Sequence, residues 1–111
     1  MTTDGLERTA LGHWVVVGDH GVSASVRQHA TFEHPDNLKQ IAAVAHCIPE
    51  GGVVVEAGAC IGDQTTIYAR IVGPTGHVHA FEPHAVSYQA LMRNTEYLDN
   101  VTQYPFALGA W

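Results

Sequence analysis

Two carboxylates bracket a short glycine turn in this chain. Glu56 follows the apolar run Val53-Val54-Val55, Gly58 and Gly62 come next, and Glu82 stands twenty residues after Gly62. Glu82 also closes a second apolar run, Val78-His79-Ala80-Phe81. An acid in that position can accept from both hydroxyls of a ribose, a charge-assisted pair of bonds. Strand, glycine turn, helix, strand and terminal acid is the order in which a Rossmann-type unit holds a nucleoside cofactor.

The turn itself separates two cofactor classes. A dinucleotide site uses G-x-G-x-x-G, so that a pyrophosphate can rest on bare backbone at a helix N-terminus. Here Cys60 stands where the middle glycine of that pattern could have been. Its side chain would crowd a pyrophosphate. Glu56, two residues before Gly58, repels phosphate and attracts an ammonium or sulfonium group. Gly58 allows a tight turn and close approach of a ligand, Gly62 allows close packing of the next helix, and Thr65 adds a hydroxyl near the unpaired N–H groups of a helix start. The residues therefore favour a cationic nucleoside, with a nicotinamide-dependent oxidoreductase as the lesser alternative.

These groups need a scaffold. His13 to Val17 and Val22 to His29 read as the two strands of a hairpin around the turn Gly18-Asp19-His20-Gly21, and residues 1–11 read as frayed. His34-Pro35-Asp36-Asn37 supplies a helix start. Leu38, Ile41, Ala42, Ala45 and Ile48 then recur at helical spacing, until Pro49-Glu50-Gly51-Gly52 ends the helix. Val53 to Ala57 is apolar on both faces, as strands in the middle of a parallel sheet are. Asp63 to Val72 reads as a helix and His77 to Phe81 as a strand. His84 to Leu98 reads as a helix with Val86, Ala90, Leu91 and Leu98 toward the core. Val101 to Ala107 reads as a strand confined to an edge by Pro105. The expected fold class is α/β: a β-α-β-α-β Rossmann-like parallel half-sheet over residues 51–111, preceded over residues 1–50 by a short hairpin and a helix. The chain stops about where half of a full sheet of this kind would be finished.

Composition narrows the partners. A formal charge of −6 with no basic stripe argues against nucleic acid as the main partner. Protonating all eight histidines would carry the charge to +2, a matter of solubility below about pH 6. No apolar run approaches the roughly 20 residues that span a bilayer, and the N-terminus lacks the basic start and apolar core of a signal peptide. Cys47 and Cys60 form no C-x-x-C pair, which fits reduced thiols. These features together predict a cytoplasmic protein with no membrane partner.

The segment E-A-G-A-C-I-G-D-Q-T, followed by Y-A-R-I-V-G-P-T-G-H-V-H-A-F-E-P-H and by N-V-T-Q-Y-P-F-A-L-G, resembles the FkbM-type branch of the class I S-adenosylmethionine-dependent methyltransferases. The likeness covers residues 51–109 and, more weakly, Trp14, Asp19 and the stretch F-E-H-P-D-N-L. It implies a truncated class I methyltransferase fold with S-adenosylmethionine bound across Glu56, Gly58, Ala59, Cys60, Ile61, Gly62, Thr65, Glu82 and Pro83. It also implies a small-molecule methyl acceptor carrying a hydroxyl, such as a sugar. The chain departs from the family pattern at Glu56, where aspartate is usual, and at Cys60, where asparagine is common. The family's later segment near the substrate has no counterpart, so no catalytic residue is assigned.

Other residues carry less. His77 and His79 alternate on one strand but lack a third ligand at short spacing, so no metal is expected. His84 caps the next helix or is solvated, Asp19 and His20 read as turn residues, and Trp14 and Trp111 as packing residues. Cys60 reads as a plain loop thiol near the ligand rather than a reactive one. The alternative to an enzyme is a non-catalytic, truncated or split module. Its strand at 53–57 would present an open apolar edge to a second copy or a partner chain.

Overall fold

The computed structural model describes residues 2, 3 and 5–109; Trp111 lies outside them. Among the described residues there are two three-stranded sheets. The first is antiparallel and small, built from β1 (Thr2–Thr3), β2 (Leu6–Arg8) and β3 (Trp14–Val16). Helices α1 (Val22–His29) and α2 (Pro35–Ala45) follow. The second sheet is parallel, in the order β4 (Val53–Ala57), β5 (His77–Phe81), β6 (Val101–Tyr104). Its crossovers are α3 (Thr65–Val72) and α4 (Ala85–Thr95).

The strand expected at His13 to Val17 is present as Trp14–Val16, but its hairpin partner precedes it in the chain instead of following it. Leu6–Arg8 pairs with Trp14–Val16, so part of the segment read as frayed is sheet. The stretch Val22–His29, read as a strand, is helix α1. Its start is set by Asp19, whose carboxylate accepts from the backbone N–H of Gly21 at 3.1 Å and of Ser23 at 2.9 Å. That is the local bonding by which aspartate opens helices. Ser23 and Val26, three apart, then share the buried face, and Ser23 Oγ accepts from Val16 N–H at 2.9 Å. Arg27 pairs with Glu7 across the same junction.

Two apolar clusters result. Val78, Ala80 and Val101 of the parallel sheet pack with Ala69, Val72 and Leu91 of α3 and α4. Leu6, Val15, Val26 and Phe32 of the first fifty residues pack with Ile61 and Ala90. The leading segment is thus seated on the turn after β4 and on α4. Asn94 fastens the joint: its side chain bonds both the N–H and the C=O of Trp14, each at 2.8 Å, and the Ile61 carbonyl at 2.7 Å.

Because β4, β5 and β6 succeed one another in space, right-handed crossovers place α3 and α4 on the same face. Register puts Val53, Val55 and Ala57 beside His77, His79 and Phe81 on the other face. Val53 is 66% and Val55 55% exposed. Among the described residues β4 pairs only with β5, so it is an edge strand and not a central one. Apart from Glu56 its residues are apolar, a composition that suits a strand covered on both sides. β6 ends at Tyr104, before Pro105, and is the opposite edge.

Candidate functional site

The turn after β4 is fastened to the end of β5. Gly58 and Ala59 both donate their N–H to the Phe81 carbonyl at 2.9 Å. Cys60 donates its N–H to Glu82 Oε1 at 2.7 Å, and Glu82 Oε2 accepts from His84 N–H at 2.9 Å. Glu82 is 8% exposed and points at the turn. Each of its oxygens accepts one backbone bond, which leaves each a further acceptor position for a ligand. Pro83 follows it on the exposed side.

Glu56 projects from the last part of β4, and the Thr65 hydroxyl donates to its Oε1 at 2.5 Å. Thr65 is fully buried, so its hydroxyl serves Glu56. The Ile61 side chain is likewise buried, in the second apolar cluster. Gly62 has φ near +89°, and a Cβ there would meet Leu91 at 3.0 Å and Thr95 at 3.3 Å. The helix it admits is therefore α4. Gly58 has φ near +73° with nothing within 4 Å of a Cβ, so dihedral freedom is what requires glycine there. Cys60 adopts φ near +55°, a left-handed conformation costly for a non-glycine residue.

A cleft of about 360 Å³ opens between this turn and the leading helices, within the size range of small-molecule sites. Glu56, Gly58, Ala59 and Cys60 form one wall. His34, Asn37 and Gln40 face them, with Asp63 and Gln64 at the start of the next helix. Glu82 lies outside this wall, on the β5 side of the turn. The cleft and Glu82 therefore flank the turn.

The cleft is electronegative by construction. Burial pushes the Glu56 carboxyl up to about 7, against the Thr65 bond and assisted by the charges of Asp63 and Glu82. Burial likewise pushes Asp63 up to about 6, against backbone amide bonds. The Cys60 thiol rises to about 11 through burial and the neighbouring Asp63 charge, which keeps it a thiol at neutral pH. A cation entering this cleft would relieve both acids, and this is the property that fits a sulfonium or ammonium group.

Sequence patterning located Glu56, the turn and Glu82, but missed His34, Asn37 and Asp63. His34 caps α2, its Nδ1 accepting from Asn37 N–H at 3.3 Å. Asn37 is 2% exposed, and its Nδ2 donates to the carbonyls of Phe32 at 2.8 Å and Asp63 at 3.1 Å. The only sequence signal for His34 and Asn37 was the helix-start stretch His34-Pro35-Asp36-Asn37, and Asp63 carried none beyond its place after Gly62. His84 caps α4, its Nδ1 accepting from Ser87 N–H at 3.3 Å. His77 Nε2 bonds Thr102 Oγ1 at 2.7 Å and His79 Nδ1 bonds Tyr104 OH at 2.8 Å. Among the described residues no group of three or more His, Cys, Asp or Glu could hold a metal, and no helix is long and apolar enough to cross a membrane.

Neither a protein-family model nor a curated protein sequence matches the chain. Solved structures do. A protein from Clostridium thermocellum described as an rRNA methylase is 24% identical, with 62% of this chain and 39% of that one covered and a TM-score of 0.58. A SAM-dependent methyltransferase from Aquifex aeolicus is 19% identical, with 71% and 43% covered and a TM-score of 0.53. A SAM-dependent O-methyltransferase from Thermotoga maritima is 19% identical, with 90% and 39% covered and a TM-score of 0.58. The chain has the Rossmann-like α/β fold that these proteins share. It spans about two fifths of their length.

Proposed function

We propose that this chain is the S-adenosylmethionine-binding part of a methyltransferase of the FkbM type, acting on a hydroxyl of a sugar or another small metabolite. The observation that carries the reading is the pair of acids flanking the glycine turn: Glu56 in the cleft on one side, Glu82 bonded to Cys60 N–H on the other. A nucleoside laid over the turn would give its ribose hydroxyls to Glu82 and its cationic end to Glu56 and Asp63. The bound cofactor supplies an electrophilic methyl group. The chain's residues supply position and exclusion of water, which carry much of the rate in a displacement of this kind. Gly58 and Ala59 hold the turn against β5, and Cys60 occupies the place a pyrophosphate would need.

A small acceptor suits the charge better than RNA. The chain carries −6 and has five basic residues, of which Arg27 and Arg70 are paired with Glu7 and Glu33. The open face of the parallel sheet favours a second feature of the reading: this part works with a covering segment or partner, and by itself binds cofactor weakly and turns over little.

Competition calorimetry tests the assignment. S-adenosylhomocysteine should bind, and NADH should not displace it. Binding of NADH with no response to S-adenosylhomocysteine would replace the methyltransferase reading with an oxidoreductase one.

A further inference from the structure

We propose that a second cavity, walled by Arg8, Arg93 and Trp14, binds a small aromatic carboxylate. The site goes beyond the cofactor reading and does not depend on it, because none of its lining residues belongs to the cleft beside the glycine turn.

The cavity lies where β2 and β3 meet the last turn of α4. Its volume is about 380 Å³, within the range of small-molecule sites. Two arginines set its charge. The chain carries −6 and has five basic residues, and two of the five line this one cavity. Among the described residues Arg27 and Arg70 are paired with carboxylates, whereas Arg8 and Arg93 are not. Arg93 instead lies over the Trp14 ring, its guanidinium carbon 4.5 Å from the centroid, and Arg8 reaches the same indole at 5.9 Å. A guanidinium held through its flat face keeps its in-plane N–H donors for another partner. The Arg8 Nε also donates to the Gly12 carbonyl at 3.3 Å, so both side chains are positioned before a ligand arrives.

The rest of the lining chooses the ligand. His13 stacks on Phe32 with ring centroids 3.9 Å apart, and Tyr97 adds a ring that is 71% exposed. These rings, with Trp14, suit a flat apolar body. Burial holds the His13 pKa below its ordinary value, so that ring is neutral at physiological pH. Arg8 and Arg93, set against Glu96 in the same wall, then leave one positive charge. A carboxylate balances it and offers two oxygens to a guanidinium fork. A phosphate monoester brings about two negative charges, and the excess would face Glu96. A carboxylate on an aromatic ring answers both the charge and the apolar wall.

The test is nitrogen-15 NMR on the full chain, following the Trp14 indole N–H and the Arg93 Nε–H. Benzoate should move both signals. Benzamide has the same shape without the charge, and acetate has the charge without the ring. Each should bind at least about tenfold more weakly than benzoate. Phenyl phosphate separates the two anions and should also bind more weakly than benzoate. Arg93→Gln, with folding checked by circular dichroism, should weaken benzoate about tenfold by the Trp14 signal, the size of one lost hydrogen bond to a charged group. Three results in the wild type would each overturn the assignment without any variant: no response to benzoate, benzamide or acetate binding as well as benzoate, or a preference for phenyl phosphate. Unchanged benzoate affinity in a folded Arg93→Gln would overturn it too.

Discussion

Glu56 is the residue on which the electrostatics of the site turn. Its carboxyl is pushed up to about 7 in the folded chain from an ordinary value of 4.5, so between those limits the folded state keeps a proton that the unfolded state has lost. Stability must therefore fall as pH rises through that window. Glu56→Gln keeps an acceptor for the Thr65 hydroxyl and removes the charge. Chemical denaturation should show the variant about 2 kcal/mol more stable than the wild type at pH 8 and nearly equal to it at pH 4, after discounting for partial solvation. Equal stability at both pH values would mean that Glu56 is not desolvated. The acid itself was legible in the sequence because it follows an apolar run and precedes a glycine. Asp63 and His34 were not, because their importance comes from burial against residues 26 and 29 positions away, Asn37 with Asp63 and Asp63 with His34 in one cleft.

At the scale of elements, the central α/β units were readable, whereas in the first thirty residues only the strand Trp14–Val16 was. Val53–Ala57, Thr65–Val72 and His77–Phe81 carry long apolar patterns bounded by glycine and proline, signals that need no tertiary context. Helix α1 lacks them. Its eight residues bury only Ser23 and Val26, and its start depends on Asp19 reaching two backbone amides. Nor does the helix end on a glycine. Ala30 caps it at φ near +59°, the left-handed conformation in which glycine is the usual residue. Ala30→Gly should raise the midpoint of thermal unfolding, corresponding to about 1 kcal/mol. A lower midpoint would show that α1 does not end as described. The cap also explains the misreading, since a helix without a glycine stop and with β-branched Val22 and Val26 resembles a strand.

At the scale of the whole molecule, the described residues cover the parallel sheet on one face only. The α3 and α4 side is packed, whereas Val53, Val55, His77, His79 and Phe81 share the other. An apolar edge beside an open face invites pairing, so sedimentation velocity should show association that grows with concentration and is reduced in Val55→Lys; a wild type that stays monomeric at high concentration would count against it. The sequence offered both a central strand and, for a truncated module, an open apolar edge at 53–57; strand order, a property of topology rather than of any one segment, makes it an edge among the described residues. Whether Glu82 holds the ribose of a sulfonium nucleoside over the glycine turn is decided by calorimetry with S-adenosylhomocysteine on the wild type and on Glu82→Gln, with folding of both checked by circular dichroism. Loss of the charged acceptor should weaken binding at least about tenfold, and the 2′-deoxy form of the ligand should lose far less further affinity in the variant than in the wild type. Unchanged affinity in Glu82→Gln, or a 2′-deoxy penalty of the same size in both proteins, would show that Glu82 does not hold the ribose.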